Sequence, residues 1–358
     1  MSLLKLIVLN RLASYNWSPT ARAIGANVLK NLLRSVLKLG RYAALALAVV
    51  CVSAYGQTVD EIHAQLRVLA AQGGNLRVTS QNLYLGLHEQ MDRSDVEVTR
   101  DVRYGPHPDH VLDVYAPVER GDELLPIVVF VHGGLLGNGD KRSGGAEAYV
   151  SGNIPTFFAR HGFIGITANY RLVPDVVWPQ GAEDMREILG WLRTENGAEF
   201  GGDRDAMFMI GQSGGARHLA SYLFHRTSQM VRSTELRGAV LFSPRLGLSD
   251  SDTFKHYYGD DLEVQAQNSP IGLVESFDIN RPTVPTLLVT TEFDGSNIQV
   301  PTSAFFAAIC EKYQECPRLA QLKDHNRFSP VLSFDTGDET VSGVVLDFFR
   351  GIYDSLER

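Results

Sequence analysis

The sequence predicts an α/β fold: a mostly parallel central sheet of about eight strands, flanked by helices and preceded by a short helical extension. Three observations predict it. From residue 126 onward, short apolar runs alternate with segments of helical periodicity. One run, Pro126-Ile127-Val128-Val129-Phe130-Val131, has no polar face, as a strand covered on both sides requires. A third run, Ala206 to Ile210, passes through Gly211-Gln212-Ser213-Gly214-Gly215 straight into a helical segment.

The chain of 358 residues is 44% hydrophobic and 21% charged, an ordinary globular composition, and its length permits one large α/β domain or two smaller ones. The formal net charge of -8 argues against a nucleic-acid binder. That charge is unevenly spread. Residues 1–59 carry seven Lys and Arg and no Asp or Glu, leaving the remainder at -15. The basic head ends in the apolar run Ala43 to Val52, with small residues at Ala54 and Gly56. This is the order of a secretory signal over residues 1–56, with cleavage expected near Gly56 and an exported, periplasmic or secreted mature chain. An uncleaved anchor is the alternative, weakened by the shortness of the run. Cys51 leaves with the signal. Cys310 and Cys316 remain as an even pair in an oxidising compartment, a candidate disulfide.

Residues 57–95 read as two helices. Val59, Ile62, Leu66 and Leu69 share one helical face, Gly73-Gly74 breaks the run, and a second apolar helix spans about Thr79 to Met91. They form either a lid or a cover for a sheet edge. The catalytic domain is expected over 96–358. Val96 to Thr99 and Leu112 to Tyr115 alternate as strands around the loop at Gly105 to Asp109. The central strand at 126–131 follows. Helices are then expected over Glu147 to Arg160, Gly181 to Arg193 and Ala216 to Gln229, each followed or preceded by a buried strand, at Phe163 to Ala168, Ala206 to Ile210 and Gly238 to Phe242. The stretch 244–282, rich in Asp, Ser, Gly and Pro, reads as irregular. With Phe254, Tyr257, Tyr258 and Leu262 it either walls a pocket or makes a surface excursion. A strand to Thr290, a helix from Thr302 to Tyr313, a short strand at Leu319 to Lys323 and a helix over Val341 to Leu356 complete the chain. In such a sheet the ligand is expected at the carboxyl ends of the strands.

Acyl transfer through serine needs a nucleophile, a base, an acid to orient the base and N–H donors for the oxyanion. Ser213 stands at a strand-to-helix turn, where flanking glycines let the backbone approach itself closely. After the central strand come His132-Gly133-Gly134-Leu135-Leu136-Gly137. Here the N–H of Gly134, or of Gly133 or Leu135, is expected to form an oxyanion hole with that of Gly214. His132 reads as a brace for this loop. After the strand ending at Thr290 stand Glu292 and Asp294, with Asp294 the preferred acid and Glu292 the reserve. His325, after the last strand, is the only histidine beyond His256 and is the expected base. The order Ser213, Asp294, His325 is that of a known serine-hydrolase architecture. No Cys and His clustering of metal type is visible, and neither metal nor cofactor is expected.

These motifs resemble the α/β-hydrolase superfamily from about Val96 to the end. More narrowly the chain is similar to carboxylesterases with a His-Gly-Gly loop, in the hormone-sensitive-lipase-like and feruloyl-esterase-like branches. The segments that carry the likeness are His132-Gly133-Gly134 with Gly139-Asp140-Lys141, Asn169 to Pro174 with Trp178-Pro179 and Asp184, Phe200 to Asp203, and Gly211 to Gly215. The resemblance implies an α/β-hydrolase fold and hydrolysis of small-molecule carboxylic esters through an acyl-enzyme on Ser213. It also implies that Tyr170, Arg171 and Asp184 are scaffold. The aliphatic rim Leu135-Leu136 and the glycine at 214 depart from the commoner pattern and bear on the acyl pocket. An amidase of the same fold, such as an arylformamidase, is the nearest competing reading, and a non-catalytic binding protein on a hydrolase fold the remote one.

Overall fold

The structure, a computed structural model, describes residues 58–72, 76–143, 149–230, 234–278 and 283–356. The expected signal segment 1–56 lies outside the described residues. Eight strands form one sheet in the order β1-β2-β4-β3-β5-β6-β7-β8. They are β1 (Val96–Arg103), β2 (Val111–Pro117), β3 (Leu125–Val131), β4 (Ile164–Ala168), β5 (Gly202–Gln212), β6 (Gly238–Phe242), β7 (Thr286–Thr291) and β8 (Arg318–Leu322). β2 is antiparallel to both neighbours, and β3 through β8 run parallel.

The chain opens with α1 (Val59–Gln72) and α2 (Leu76–Glu89). Between the strands lie α3 (Tyr149–Arg160), α4 (Gln180–Arg193), α5 (Glu195–Glu199) and α6 (Gly214–Phe224). Three short helices, α7 (Asp252–Tyr258), α8 (Leu262–Gln267) and α9 (Pro270–Ser276), precede β7. Then come α10 (Ser296–Tyr313), α11 (Ser329–Ser333) and α12 (Glu339–Leu356).

The pleat of β3 explains its unbroken apolar run. Ile127, Val129 and Val131 pack with Met185, Ile188 and Leu189 of α4 and Leu219 of α6, while Val128 and Phe130 pack with Phe158 of α3 and Val345 and Phe349 of α12. Both faces are therefore core. Scaffold polar groups are paired where the resemblance implied. Asp184 accepts from Arg171 Nη2 at 2.6 Å and lies 3.2 Å from His110 Nε2. Buried Lys141 bridges Asp101 at 2.7 Å and Asp113 at 2.5 Å.

Three element expectations change. Among its described residues the stretch 244–282 is not irregular throughout but carries α7 to α9; Asp261 accepts from Glu263 N and Val264 N, and Ser269 accepts from Gly272 N, as side-chain caps of α8 and α9. The helix expected to reach Gln229 ends at Phe224. Gln229 folds back, and its amide donates to the carbonyls of Tyr222 and Leu223, which would otherwise have been satisfied by a further turn. The helix expected from Thr302 starts at Ser296 and runs through Pro301. The sulfurs of Cys310 and Cys316 are bonded, with Cα atoms 4.4 Å apart, tying the end of α10 to the approach to β8.

Candidate active site

β5 delivers Ser213 to the carboxyl edge of the sheet, and α6 begins at the next residue. Ser213 has φ 51° and ψ -104°, a left-handed conformation that side chains seldom adopt. Its backbone is fully engaged. Its N–H donates to Phe242 O at 2.9 Å, and its carbonyl accepts from Arg217 N and Arg245 N, each at 3.1 Å. Its hydroxyl makes no hydrogen bond among the described residues. The glycine at 215 permits the turn: a Cβ there would stand 2.4 Å from His132 O and 2.7 Å from Val131 O. Helix, neighbouring strand and serine can meet only without that carbon.

The loop after β3 wraps over the same edge. Gly134 has φ +143°, and a Cβ on it would lie 1.7 Å from Asn138 O, so no other residue fits this turn. Its carbonyl accepts from Gly137 N and Asn138 N. Leu135 and Leu136 follow with φ of 54° and 66°. Their nitrogens lie 3.3 and 3.1 Å from the point where a Cβ on Gly214 would stand. Among the described residues the N–H groups of Gly134, Leu135 and Leu136 have no acceptor. Gly214 opens α6, so its N–H is one of the helix's unpaired first-turn donors. Gly133 differs from its expected role. Its N–H donates to Gln212 Oε1 at 3.2 Å and is not available to a substrate. Gln212 also donates through Nε2 to Arg327 O at 3.2 Å, tying the β3 loop, the serine turn and the histidine loop together. His132 is buried with Nδ1 2.9 Å from Gly133 O, stacked on Tyr170, whose hydroxyl donates to His132 O. This is the bracing arrangement expected of it.

The acid and base loops adjoin, but their side chains do not meet. Glu292 N donates to Leu322 O and Phe293 N to His325 O, at 2.8 and 3.0 Å. Asp294 is buried. Its Oδ2 accepts from Ser243 Oγ and Thr291 N, at 2.9 and 2.8 Å, and its Oδ1 has no partner. Burial pushes its carboxyl above the usual range, against these hydrogen bonds and the Arg327 charge. Glu292, the reserve, is exposed and accepts from Asp324 N at 2.8 Å, which anchors the histidine loop. His325 is fully buried. Its Nδ1 lies 2.9 Å from Ser329 Oγ, and its Nε2 lies 3.7 Å from Asp338 Oδ2 with no hydrogen-bond partner. Burial lowers its pKa to about 4, so the ring is neutral at pH 7.

The fold matches that of solved esterase structures. Esterase B from Lactobacillus rhamnosis superposes with a TM-score of 0.63 over 83% of this chain and 97% of that one, at 17% identity. The chain has the α/β-hydrolase fold. A family model described as BD-FAE matches residues 112–237. That span holds the His132 loop and Ser213 but neither Asp294 nor His325. Phenmedipham hydrolase of Pseudarthrobacter oxydans is 34% identical over 137 residues, 34% of this chain and 24% of that protein. Esterase LipC of Mycobacterium tuberculosis is 30% identical over 122 residues, 34% of this chain and 28% of that protein. The chain thus spans about a quarter of the length of these curated relatives.

Two neighbourhoods of the candidate site come from segments far apart in sequence. Leu136 is buried with Val176, Phe254, Tyr257 and Tyr258, so α7 packs on the loop after β3 as a wall. Leu262, expected with that wall, is 55% exposed instead. Buried Arg217 clamps the wall: its guanidinium donates to Tyr258 Oη and to the carbonyls of Arg245 and Gly247, and lies 4.8 Å from the Phe254 and Tyr258 rings. The helices α1 and α2 pack beside the histidine loop. Ile62, Leu66, Leu83 and Tyr84 pack on Leu332 of α11, beside His325. There His63 Nε2 lies 3.0 Å from Asp338 Oδ2, and Tyr84 Oη donates to the same oxygen at 2.9 Å. Sequence reading missed His63 and Asp338, because no spacing links positions 275 residues apart. No helix among the described residues is long and apolar enough to cross a membrane.

Proposed function

We propose that the protein is an exported serine carboxylesterase that hydrolyses small-molecule esters through an acyl-enzyme on Ser213. The observation that carries this reading is the serine turn itself: a left-handed Ser213 with an unengaged hydroxyl, facing a loop whose consecutive N–H groups lack acceptors. Backbone held in so sparsely populated a region is maintained by surrounding contacts and marks a site of function. The names of the related hydrolase and esterase support the same chemistry.

In this mechanism Ser213 Oγ attacks the ester carbonyl carbon as His325 takes its proton. The oxyanion lies against the N–H groups of Leu135 and Gly214, with Gly134 and Leu136 beside them. The tetrahedral intermediate collapses, the alcohol leaves with the proton from His325, and water then hydrolyses the acyl-enzyme by the same steps. Asp294 holds the imidazole Nδ1–H. This requires His325 to turn about its side-chain bonds, because its ring faces Ser329 and Asp338 in the present arrangement. The exchange is favoured on one side by Asp294 Oδ1. A buried acceptor without a donor costs about 1–3 kcal/mol, and the imidazole supplies one. The His325 carbonyl, bonded one residue from Asp294, keeps the ring within reach of it.

Export rests on the basic, acid-free head and its short apolar run, and is tested by sequencing the mature amino terminus. A fluorophosphonate probe tests the nucleophile. Wild type is expected to label covalently and Ser213→Ala not at all. A well-folded wild type that resists the probe would remove the mechanism. Parallel turnover of p-nitrophenyl esters and N-formylkynurenine separates the esterase from an amidase of the same fold.

A further inference from the structure

We propose that His63, His325 and Asp338 form a binding site for a zinc-class divalent cation, and that the bound cation holds His325 away from Ser213. The site itself stands on geometry alone. Only its inhibitory consequence rests on the reading of His325 as the catalytic base.

Nε2 of His63, Nε2 of His325 and a carboxylate oxygen of Asp338 all lie within 4.8 Å of one another. The two histidine–carboxylate spacings are 3.0 and 3.7 Å. Zinc bonds of about 2.0–2.2 Å in tetrahedral array separate ligand atoms by about 3.3–3.5 Å, so small side-chain shifts complete the set. The rings of His63 and His325 meet edge to face with centroids 4.9 Å apart, and both turn nitrogen toward Asp338. Two imidazoles and one carboxylate suit zinc, cobalt(II) or copper(II) and suit calcium or magnesium poorly.

A second observation points to an occupant. His325 is fully buried, yet its Nε2 has no hydrogen-bond partner. Its Nδ1 faces Ser329 Oγ, which in turn bonds Asn326 O at 3.0 Å. In the tautomer with Nδ1–H donating to Ser329 and Ser329 donating to Asn326, the Nε2 lone pair is directed at Asp338. A lone pair facing a carboxylate is unfavourable without a positive charge between them. The outer contacts of a metal site are also in place. Ser329 orients one imidazole, and Tyr84 Oη and Thr340 N donate to the Asp338 carboxylate. His63, its side chain 14% exposed, leaves an opening through which the cation and a fourth, water ligand can enter.

The test uses the full, tag-free chain and cobalt(II) as a spectroscopic probe. Wild type is expected to give the intense visible absorption of a tetrahedral cobalt site at one equivalent, displaced by zinc. His63→Ala and Asp338→Asn are expected to weaken cobalt affinity at least tenfold, with circular dichroism confirming that each is folded. Zinc at saturation is expected to slow fluorophosphonate labelling of wild-type Ser213 at least tenfold and to leave the labelling of His63→Ala unchanged. A cobalt spectrum that survives both substitutions, or that never appears in wild type, overturns the site. Zinc binding that leaves labelling untouched overturns the trapping of His325. Absence of labelling in the metal-free wild type, together with an intact cobalt spectrum on reloading, supports the site and overturns the esterase reading instead.

Discussion

Replacing Asp294 by Asn separates catalysis from stability. The side-chain carbonyl of Asn can still accept from Ser243 Oγ and Thr291 N, the two hydrogen bonds Asp294 makes. Burial raises the Asp294 pKa, so the ionised carboxylate is a cost to the folded state at pH 7. An amide removes that cost. Asp294→Asn is therefore expected to melt at or above the wild-type temperature. Catalysis moves the other way. Asn cannot hold the Nδ1–H tautomer or stabilise the imidazolium, and in related triads the loss in kcat is about 10⁴-fold, or about 5.5 kcal/mol. Steady-state kinetics on a p-nitrophenyl ester beside a thermal melt reads both quantities. Asp338→Asn is the companion. Asp338 lies 3.7 Å from His325 Nε2 in the arrangement that keeps the base from Ser213, so this variant is expected to retain kcat within about tenfold, far from the triad-sized loss. If Asp294→Asn stays within about tenfold of wild type while Asp338→Asn falls by the triad-sized factor, the turning of His325 is refuted and Asp338 is its working partner.

Three further outcomes are expected. Leu136→Ala empties a fully buried position against Val176, Phe254 and Tyr257 while keeping a left-handed residue in the oxyanion loop; it should lower unfolding free energy by about 2–5 kcal/mol in urea titrations and slow fluorophosphonate labelling. Opening the Cys310–Cys316 bond, which closes a short loop, should cost about 2 kcal/mol, read as a lower melting temperature of the double Ala variant without loss of labelling. Burial lowers the pKa of His88 to about 4 and of His218 to about 3, so the unfolded chain binds more protons than the folded one below pH ~6.5. Stability should then fall as pH drops through the window from ~6.5 to ~4, by up to about 2.7 kcal/mol per pH unit for the two groups, with the raised Asp294 acting in the opposite sense; a flat urea midpoint across that window would refute it.

The parts of the site that were legible in sequence are those fixed by backbone. Gly211, Ser213 and Gly215 read as a strand-to-helix turn from their spacing: the atoms a Cβ on Gly211 would strike belong to the helix that follows at once, whereas Gly215 is required by the carbonyls of Val131 and His132 at the end of the neighbouring strand. The alternation of buried runs and helices likewise gave the sheet, since β3, β4, β6 and β7 are buried along almost their whole length. The short helices α7 to α9 were illegible because their composition is that of a loop. Side-chain caps on α8 and α9 stand in for apolar periodicity, and three helices of six or seven residues carry too little period to read.

Side-chain direction was the least legible feature, and it decides how the base is used. Position after β8 placed the backbone of His325 beside the acid loop, where the structure has it. Nothing local dictates which way the ring then points. That is settled by Ser329 four residues on, by Asp338 before α12, and by His63 on a helix that precedes the whole sheet. An extension that looked like an accessory therefore supplies one wall of the cage around the base. Truncating α1 and α2 would bare Leu332 and release His325 from His63 and Tyr84 together, whereas His63→Ala removes only the polar contact. The point substitution is thus the cleaner probe of whether the extension restrains the base or merely covers it.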